Sequence, residues 1–431
     1  MSRKMILRWI SCLLTMVLLM LCGCSDNVPL PTEDEIHSGI NSTSNVLSAH
    51  WDYYVMNDQY MIGPQIFLLE SQEKNIRGDI KYNFKTKSVT SLCLDELCSH
   101  SSHSSDCKLQ DSCVYYFTYE NSIYYSRYYS EIIDTIDVVD DNGNIAQEYI
   151  TEQHQCFCAY DITTGDYREF LNINVSESAQ MYRVVQYNGN AYYWRHIPNN
   201  DHPKSLEDYT RSLCAINLKT GKEQILFSVE NLISEHAALI FISDNRIYFA
   251  DNTLGTLLSF DLNGENLIIH LDGQGQNIGV FDKYGTFKCG DWIYYAVSAA
   301  TIDGDTYLKT GFQNCHYLYR LNVNSNEKER LSTDLISKFN ITNGYIYYFL
   351  SNQQYDTDLQ AEANPIEKEC SVIIRIGHDG SQRTNMGYVE GKLAMAWIAN
   401  EELYISDFNG AVRLSLNDGK FRKVLSDEVI K

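Results

Sequence analysis

The chain has 431 residues, 44% of them hydrophobic, which suffices for one large fold or about three average domains and excludes wholesale disorder. Six prolines and 24 glycines exclude a collagen-like or low-complexity chain. With 34 Lys and Arg against 56 Asp and Glu, the net charge of −22 argues against a nucleic-acid backbone as partner. Composition leaves two numbers unexplained, 32 tyrosines and 13 cysteines.

The N-terminus reads as an address. Arg3, Lys4 and Arg8 precede a mostly apolar run of 13 residues, 9–21, which is short of the ~20 that a spanning helix needs. The run ends in Leu21-Cys22-Gly23-Cys24, which resembles a bacterial lipobox. The resemblance implies that residues 1–23 are a removed signal peptide and that Cys24 carries the lipid. Residues 24–45, rich in Ser, Asn, Asp, Glu and Pro, then form a flexible tether. An ordinary cleaved signal ending near cysteines is the other reading. No later segment is apolar over a spanning length, so the expected location is the extracytoplasmic face of a bacterial cell membrane, anchored by lipid. Losing the three cations of the signal takes the net charge to −25, and such a body is repelled by anionic headgroups.

The tyrosines are periodic. A short run behind a tight polar turn recurs as Ile123-Tyr124-Tyr125, Ala191-Tyr192-Tyr193, Ile247-Tyr248-Phe249, Ile293-Tyr294-Tyr295, Ile346-Tyr347-Tyr348 and Leu403-Tyr404-Ile405, with a degenerate copy at Ile66-Phe67-Leu68. After each comes a second hairpin whose turn is rich in Gly, Asn and Asp, as in Tyr160-Asp161-Ile162-Thr163-Thr164-Gly165, Ile216-Asn217-Leu218-Lys219-Thr220-Gly221 and Asn83-Phe84-Lys85-Thr86-Lys87. Tyr and β-branched residues favour strands, and such turns favour hairpins. Two hairpins per unit make a four-stranded meander, and seven units share the 371 residues from Met61 onward at about 53 each. The expected fold is all-β: a single β-propeller of seven four-stranded blades over residues 46–431, its aromatics filling the gaps between blades. The segment from Val46 to Tyr60 is expected to add a closing strand.

The Tyr-Tyr strands, together with Leu318-Tyr319-Arg320-Leu321, resemble the YWTD-type propellers of low-density-lipoprotein-receptor-related proteins, as found in bacterial lipoproteins of unassigned function. The likeness covers roughly residues 60–425. Tyr-Trp-Thr-Asp itself is absent; Tyr193-Trp194-Arg195-His196 is the nearest stretch. A propeller fold is what the resemblance implies, and folds of this kind host many unrelated activities.

In a meander whose strands are a, b, c and d, the a–b and c–d turns share one face. The b–c loops and the connections to the next unit share the other. Here the a–b and c–d turns are short. The insertions lie at about 126–155, 196–212, 297–315 and 350–370 between b and c, and at about 93–112 between units one and two. All project from one face, where binding residues usually sit. Asp137, Asp140, Asp141, His154, His196 and His316 are the candidates for contact with a partner. Within the longest insertion, 132–139 and 145–150 flank Asp140-Asp141-Asn142-Gly143-Asn144, which predicts a projecting β-ribbon; the acids lack the terminal Glu of a calcium loop, so a solvated turn is expected.

The connection between units one and two carries Cys93, Cys98, His100, His103, Cys107 and Cys113 within 21 residues. Thiolates and imidazoles so spaced can hold one soft or borderline ion, zinc by default or copper. The ten cysteines after Cys24 are also an even number, and disulfide or free-thiol structure, which suits an oxidising location, is the favoured reading over metal. Related lipoproteins of the family just named have a similar Cys-x-His segment after their first unit. Cys156, Cys158, Cys214, Cys315 and Cys370 stand near starts of c strands, where they can pair across blades or with the 93–113 loop, and Cys289, by an a–b turn on the opposite face, is expected to be a lone buried thiol. No G-x-S-x-G, H-E-x-x-H or G-x-x-x-x-G-K-[ST] stretch occurs, so an enzyme is the less favoured expectation. Three functions follow as expectations: a membrane-anchored binding or scaffold protein with a protein or glycan ligand and no nucleic acid; transition-metal capture or sensing at the Cys/His cluster; or a propeller enzyme acting on glycans or peptides at a channel mouth.

Overall fold

A computed structural model of the chain describes residues 43, 46–48, 55–56, 59–64, 79–95, 98, 107–109, 113–139, 145–174, 181–199, 208–230, 232–233, 237–251, 255–272, 285–298, 316–350, 370–390, 395–406, 411–426 and 428–430. All lie in the compact unit Ile40–Lys431. The signal 1–23, Cys24 and all of the tether but Thr43 fall outside the described residues. Among those described, no helix is long and apolar enough to cross a membrane.

The described elements are antiparallel strands. Five four-stranded sheets run in chain order over 55–91, 113–174, 182–228, 237–271 and 395–423, each with its strands in the sequential order of a meander. Residues 287–390 form one larger sheet in which two further meanders are joined by a single residue pair, His316 with Ile336. The register repeats along with the topology. In four of the a–b ladders a bulge falls within the a strand, at Tyr115–Phe117, Tyr182–Val185, Leu239–Phe241 and Ile336–Lys338. Four c–d ladders shift register at Phe157/Cys158, Leu213/Cys214, Leu257/Leu258 and Ile373/Ile374. Each bulge raises the local twist, so one twisted meander is made repeatedly.

The c–d turns are repeated at the level of single atoms. The side-chain oxygen of Asn83 accepts the Lys85 and Thr86 amides at 2.9 Å, and that of Asp161 accepts the Thr163 and Thr164 amides at 2.7 and 2.9 Å. Asn217 accepts the Thr220 amide at 2.8 Å, and Asn322 accepts the Asn324 and Ser325 amides at 3.0 Å. Four residues after each Asn or Asp the chain turns left-handed, at Lys87, Gly165, Gly221 and Asn326. A short Asn or Asp side chain closing on its own backbone, followed by a residue at positive φ, fits a tight hairpin.

The Tyr-Tyr strands are buried, and each serves two interfaces because successive side chains leave a strand on opposite faces. Tyr124 packs with Tyr193 and Ile216 of the sheet after it, whereas Tyr125 packs with Ile62 and Leu92 of the sheet before it. Tyr192 and Tyr193, Tyr248 and Phe249, Tyr294 and Tyr295, and Tyr347 and Tyr348 divide in the same way. The last sheet returns to the first: Trp397, Tyr404 and Val424 pack with Met61, Ile80, Tyr82 and Phe84. There the Tyr82 hydroxyl donates to the Val424 carbonyl at 2.7 Å, and the Lys87 ammonium meets Glu402 at 2.8 Å. Consecutive sheets packed face to face, with the last closed on the first, form a propeller-like arrangement.

Two details of the expected layout differ. The strand in the b position of the first sheet is Tyr60–Pro64, which pairs Val55–Met56 on one side and Asp79–Asn83 on the other; Ile66-Phe67-Leu68 lies outside the described residues. The alternation that marks the other copies is blurred here, because Met61 and Ile62 stand where the others carry aromatics. Val46–Ser48 does not close the ring. It pairs antiparallel with Phe287–Cys289, more than 200 residues away, and packing between the first and last sheets provides the closure.

Candidate functional site

Two features of the second unit and its approach depart from the repeat. The first is the connection from Val89–Ser91 to Cys113–Tyr119. Its Cys93, Cys98 and Cys107 thiol sulfurs lie within 4.8 Å of one another. The segment is tied down at both ends by hydroxyls of the tyrosine repeat: Tyr160 accepts the Leu94 amide at 2.9 Å, and Tyr125 donates to the Lys108 carbonyl at 2.8 Å. Between these ties the Cys98 amide closes a turn on the Asp95 carbonyl at 3.2 Å, and the Cys107 thiol donates to the Leu109 carbonyl at 3.3 Å. The trio packs in the core between the first and second sheets, with Cys107 buried and Cys93 and Cys98 half-buried. Burial pushes the Cys107 thiol up to about 12 and raises that of Cys93, with smaller contributions from the neighbouring thiols.

Seven of the described cysteines, Cys93, Cys98, Cys107, Cys156, Cys158, Cys214 and Cys289, are not in disulfides. Cross-blade pairing of Cys156, Cys158 or Cys214 is therefore not found; all three are buried, and burial raises their thiols to about 11, 12 and 12. Such thiols are poor nucleophiles. Cys289 is half-buried, its strand paired against Val46. His100 and His103 lie outside the described residues, and Cys113 opens its strand opposite Arg127.

The second feature is the ribbon. Ser122–Val139 and Ile145–Asp161, strands of 18 and 17 residues, stay paired from Ser122 with Asp161 out to Val139 with Ile145. The flanking strands stop at Arg127 on one side and His154 on the other. Beyond them about ten residue pairs project on their own, roughly 30 Å at strand rise. Both faces of the ribbon are exposed. Ile132, Ile133, Ile136, Val138, Tyr149 and Ile150 are six of the 14 large exposed apolar residues described. A bulge at Ile133 fixes the faces: Ile136, Val138 and Ile150 share one with Asp134 and Glu148, and Asp137 shares the other with Tyr149. From Tyr128 to Gln153 the chain carries seven acids and no Lys or Arg.

The expected partner-face residues separate. Asp137 is exposed on the ribbon, and Asp140 and Asp141 fall outside the described residues. His154 sits at the ribbon's base, stacked on Tyr129 at 5.0 Å, with Nδ1 3.0 Å from Asn172 and Nε2 3.6 and 3.8 Å from Glu152 and Glu131. His196 is half-buried, edge-on to Trp194 and Tyr209. His316 differs from expectation: it is only 1% exposed, at a strand position paired with Ser298 on one side and Ile336 on the other, where two meanders join. Sequence reading missed the apolar stripe of the ribbon, whose signal was present as alternating β-branched residues among acids. It also missed the roles of Tyr125 and Tyr160, which no local pattern reveals.

Fold and site together define an all-β, propeller-like protein that has, among the described residues, one projecting arm and one cysteine cluster. No family model matches the chain, and no curated protein matches it. Among solved structures it is similar to a prolyl endopeptidase at 10% identity, covering 98% of this chain and 55% of that one, with a TM-score of 0.49. An oligogalacturonate lyase from Vibrio parahaemolyticus is similar at 9% identity over 86% of this chain and 91% of that one, with a TM-score of 0.43. TolB from Acinetobacter baumannii is similar at 10% identity over 62% and 58%, with a TM-score of 0.31. The chain thus spans about half the length of the endopeptidase.

Proposed function

We propose that this protein is a binding module, a seven-bladed propeller held by a lipid on Cys24 at the extracytoplasmic face of a bacterial membrane, which captures a cationic polypeptide on its ribbon. Seven blades follow if the large sheet is divided at its single His316–Ile336 pair, and the two further meanders then join the five separate sheets. The lipobox-like Leu21-Cys22-Gly23-Cys24 supports the anchor. The ribbon carries the binding reading: two unpaired strand edges, an apolar stripe and seven acids without a cation favour a basic, strand-forming segment by edge addition and charge complementarity.

A photo-crosslinking residue at Ile136 tests it in cells that make the protein. One discrete adduct to a basic protein is expected, lost when Asp134, Asp137 and Glu148 are changed to their amides. The same adducts from a probe at the exposed Ile225, outside the ribbon, would overturn the reading. The anchor is tested separately by Cys24→Ser, which should release the protein from the membrane fraction.

A further inference from the structure

We infer that Cys93, Cys98 and Cys107 bind one zinc ion as a structural staple between the first and second sheets. A zinc–thiolate bond of ~2.3 Å in tetrahedral geometry puts ligand sulfurs about 3.8 Å apart. The three sulfurs, none farther than 4.8 Å from another, need close by only about an ångström. Three thiols cannot all be satisfied by disulfides within the trio, since one pair always leaves a sulfur over, whereas one ion takes all three. The ligand set is soft, which selects zinc or copper(I) over calcium or magnesium.

The site is also held in place by the fold. Tyr160 fixes the backbone next to Cys93, Tyr125 fixes it next to Cys107, and both tyrosines belong to the second sheet. Such supporting hydrogen bonds orient ligands before the ion arrives. Cys93 follows the last strand of the first sheet, and Cys107 precedes the first strand of the second. An ion here ties the described ends of the connection to one another in the core between the sheets. The burial of Cys107 in the core between the two sheets favours a resident structural ion over captured cargo, with the three thiolates filling three of the four tetrahedral positions.

The experiment uses the chain from residue 25 onward, purified without chelator. Elemental analysis should find one zinc per chain, and cobalt exchange should give an intense thiolate-to-cobalt charge-transfer band. Cys98→Ser should lose the ion, while Cys214→Ser, a buried thiol in the third unit, should keep it. Should Cys98→Ser fail to fold, mass spectrometry of alkylated wild type decides: a strong chelator should release the zinc, speed alkylation of Cys93 and Cys98 at least tenfold, and lower the melting temperature by roughly 5 °C. A metal-free chain, a disulfide between any two of the three cysteines, or zinc retained in Cys98→Ser would overturn the assignment.

Discussion

The cysteine connection and the ribbon are both additions to one repeat, yet they reach opposite ends of the energy scale. The described residues 93–95, 98 and 107–109 put sulfur into the core between two sheets, beside Tyr115, Tyr125 and Tyr160, and give the Leu94 amide and the Lys108 carbonyl to tyrosine hydroxyls. The ribbon spends its backbone hydrogen bonds on itself and leaves β-branched side chains in water on both faces. An insertion that can satisfy its polar groups against the scaffold becomes part of the core. One that pairs only with itself adds surface, and surface without a stability role is free to serve recognition.

Truncation should separate the two regions most sharply. Tyr125→Ala removes a fully buried ring and the tie to Lys108, and a loss of about 3–5 kcal/mol in denaturant unfolding is expected. Tyr149→Ala on the ribbon should change stability by less than ~0.5 kcal/mol. Equal effects would erase the contrast.

Acid should act on the blades and spare the ribbon. Burial lowers His270 and His378 below the ordinary value of 6.5, so their folded forms resist the proton that the unfolded chain accepts. Their contribution is full above about 6.5 and is lost as pH falls through the lowered folded values. Thermal melts between pH 7 and 5 should therefore show falling stability, less so in His378→Gln, and a ribbon-deleted chain should follow the wild-type curve.

A finer cut is Tyr160→Phe, which deletes one hydroxyl and leaves the Leu94 amide without its acceptor. It should cost about 1 kcal/mol and speed alkylation of Cys93 in native protein. Unchanged alkylation would mean that the connection is held by packing alone. Smallest of all should be replacement of residues 131–152 by a two-residue turn, for which the melting temperature should stay within a degree or two while co-purification of the basic partner is lost.

Much of this layout was legible because it is local. A Tyr-Tyr run is recognisable since period-two alternation sends its two rings into two interfaces, as Tyr124 and Tyr125 do, and Asp161 announces its turn because its side chain bonds to amides two and three residues on. The ribbon was legible from β-branched residues flanking Asn142-Gly143. Tyr60–Pro64 was not, since Met61 and Ile62 fill the same interface without the aromatic signature. His316 looked like a loop-face histidine, and its burial at the junction of two meanders shows only in the tertiary structure.

By itself the sequence determined the strands, the turns, the repeat and the acidic arm, because each depends on side chains and backbone groups a few residues apart. Tertiary structure alone decided that Val46–Ser48 pairs with Phe287–Cys289, that the last sheet packs on the first, and that three cysteines spread over 15 residues converge while Cys156, Cys158 and Cys214 stay apart as buried thiols. Those outcomes depend on which surfaces meet after the ring closes, and spacing along the chain carries no record of them.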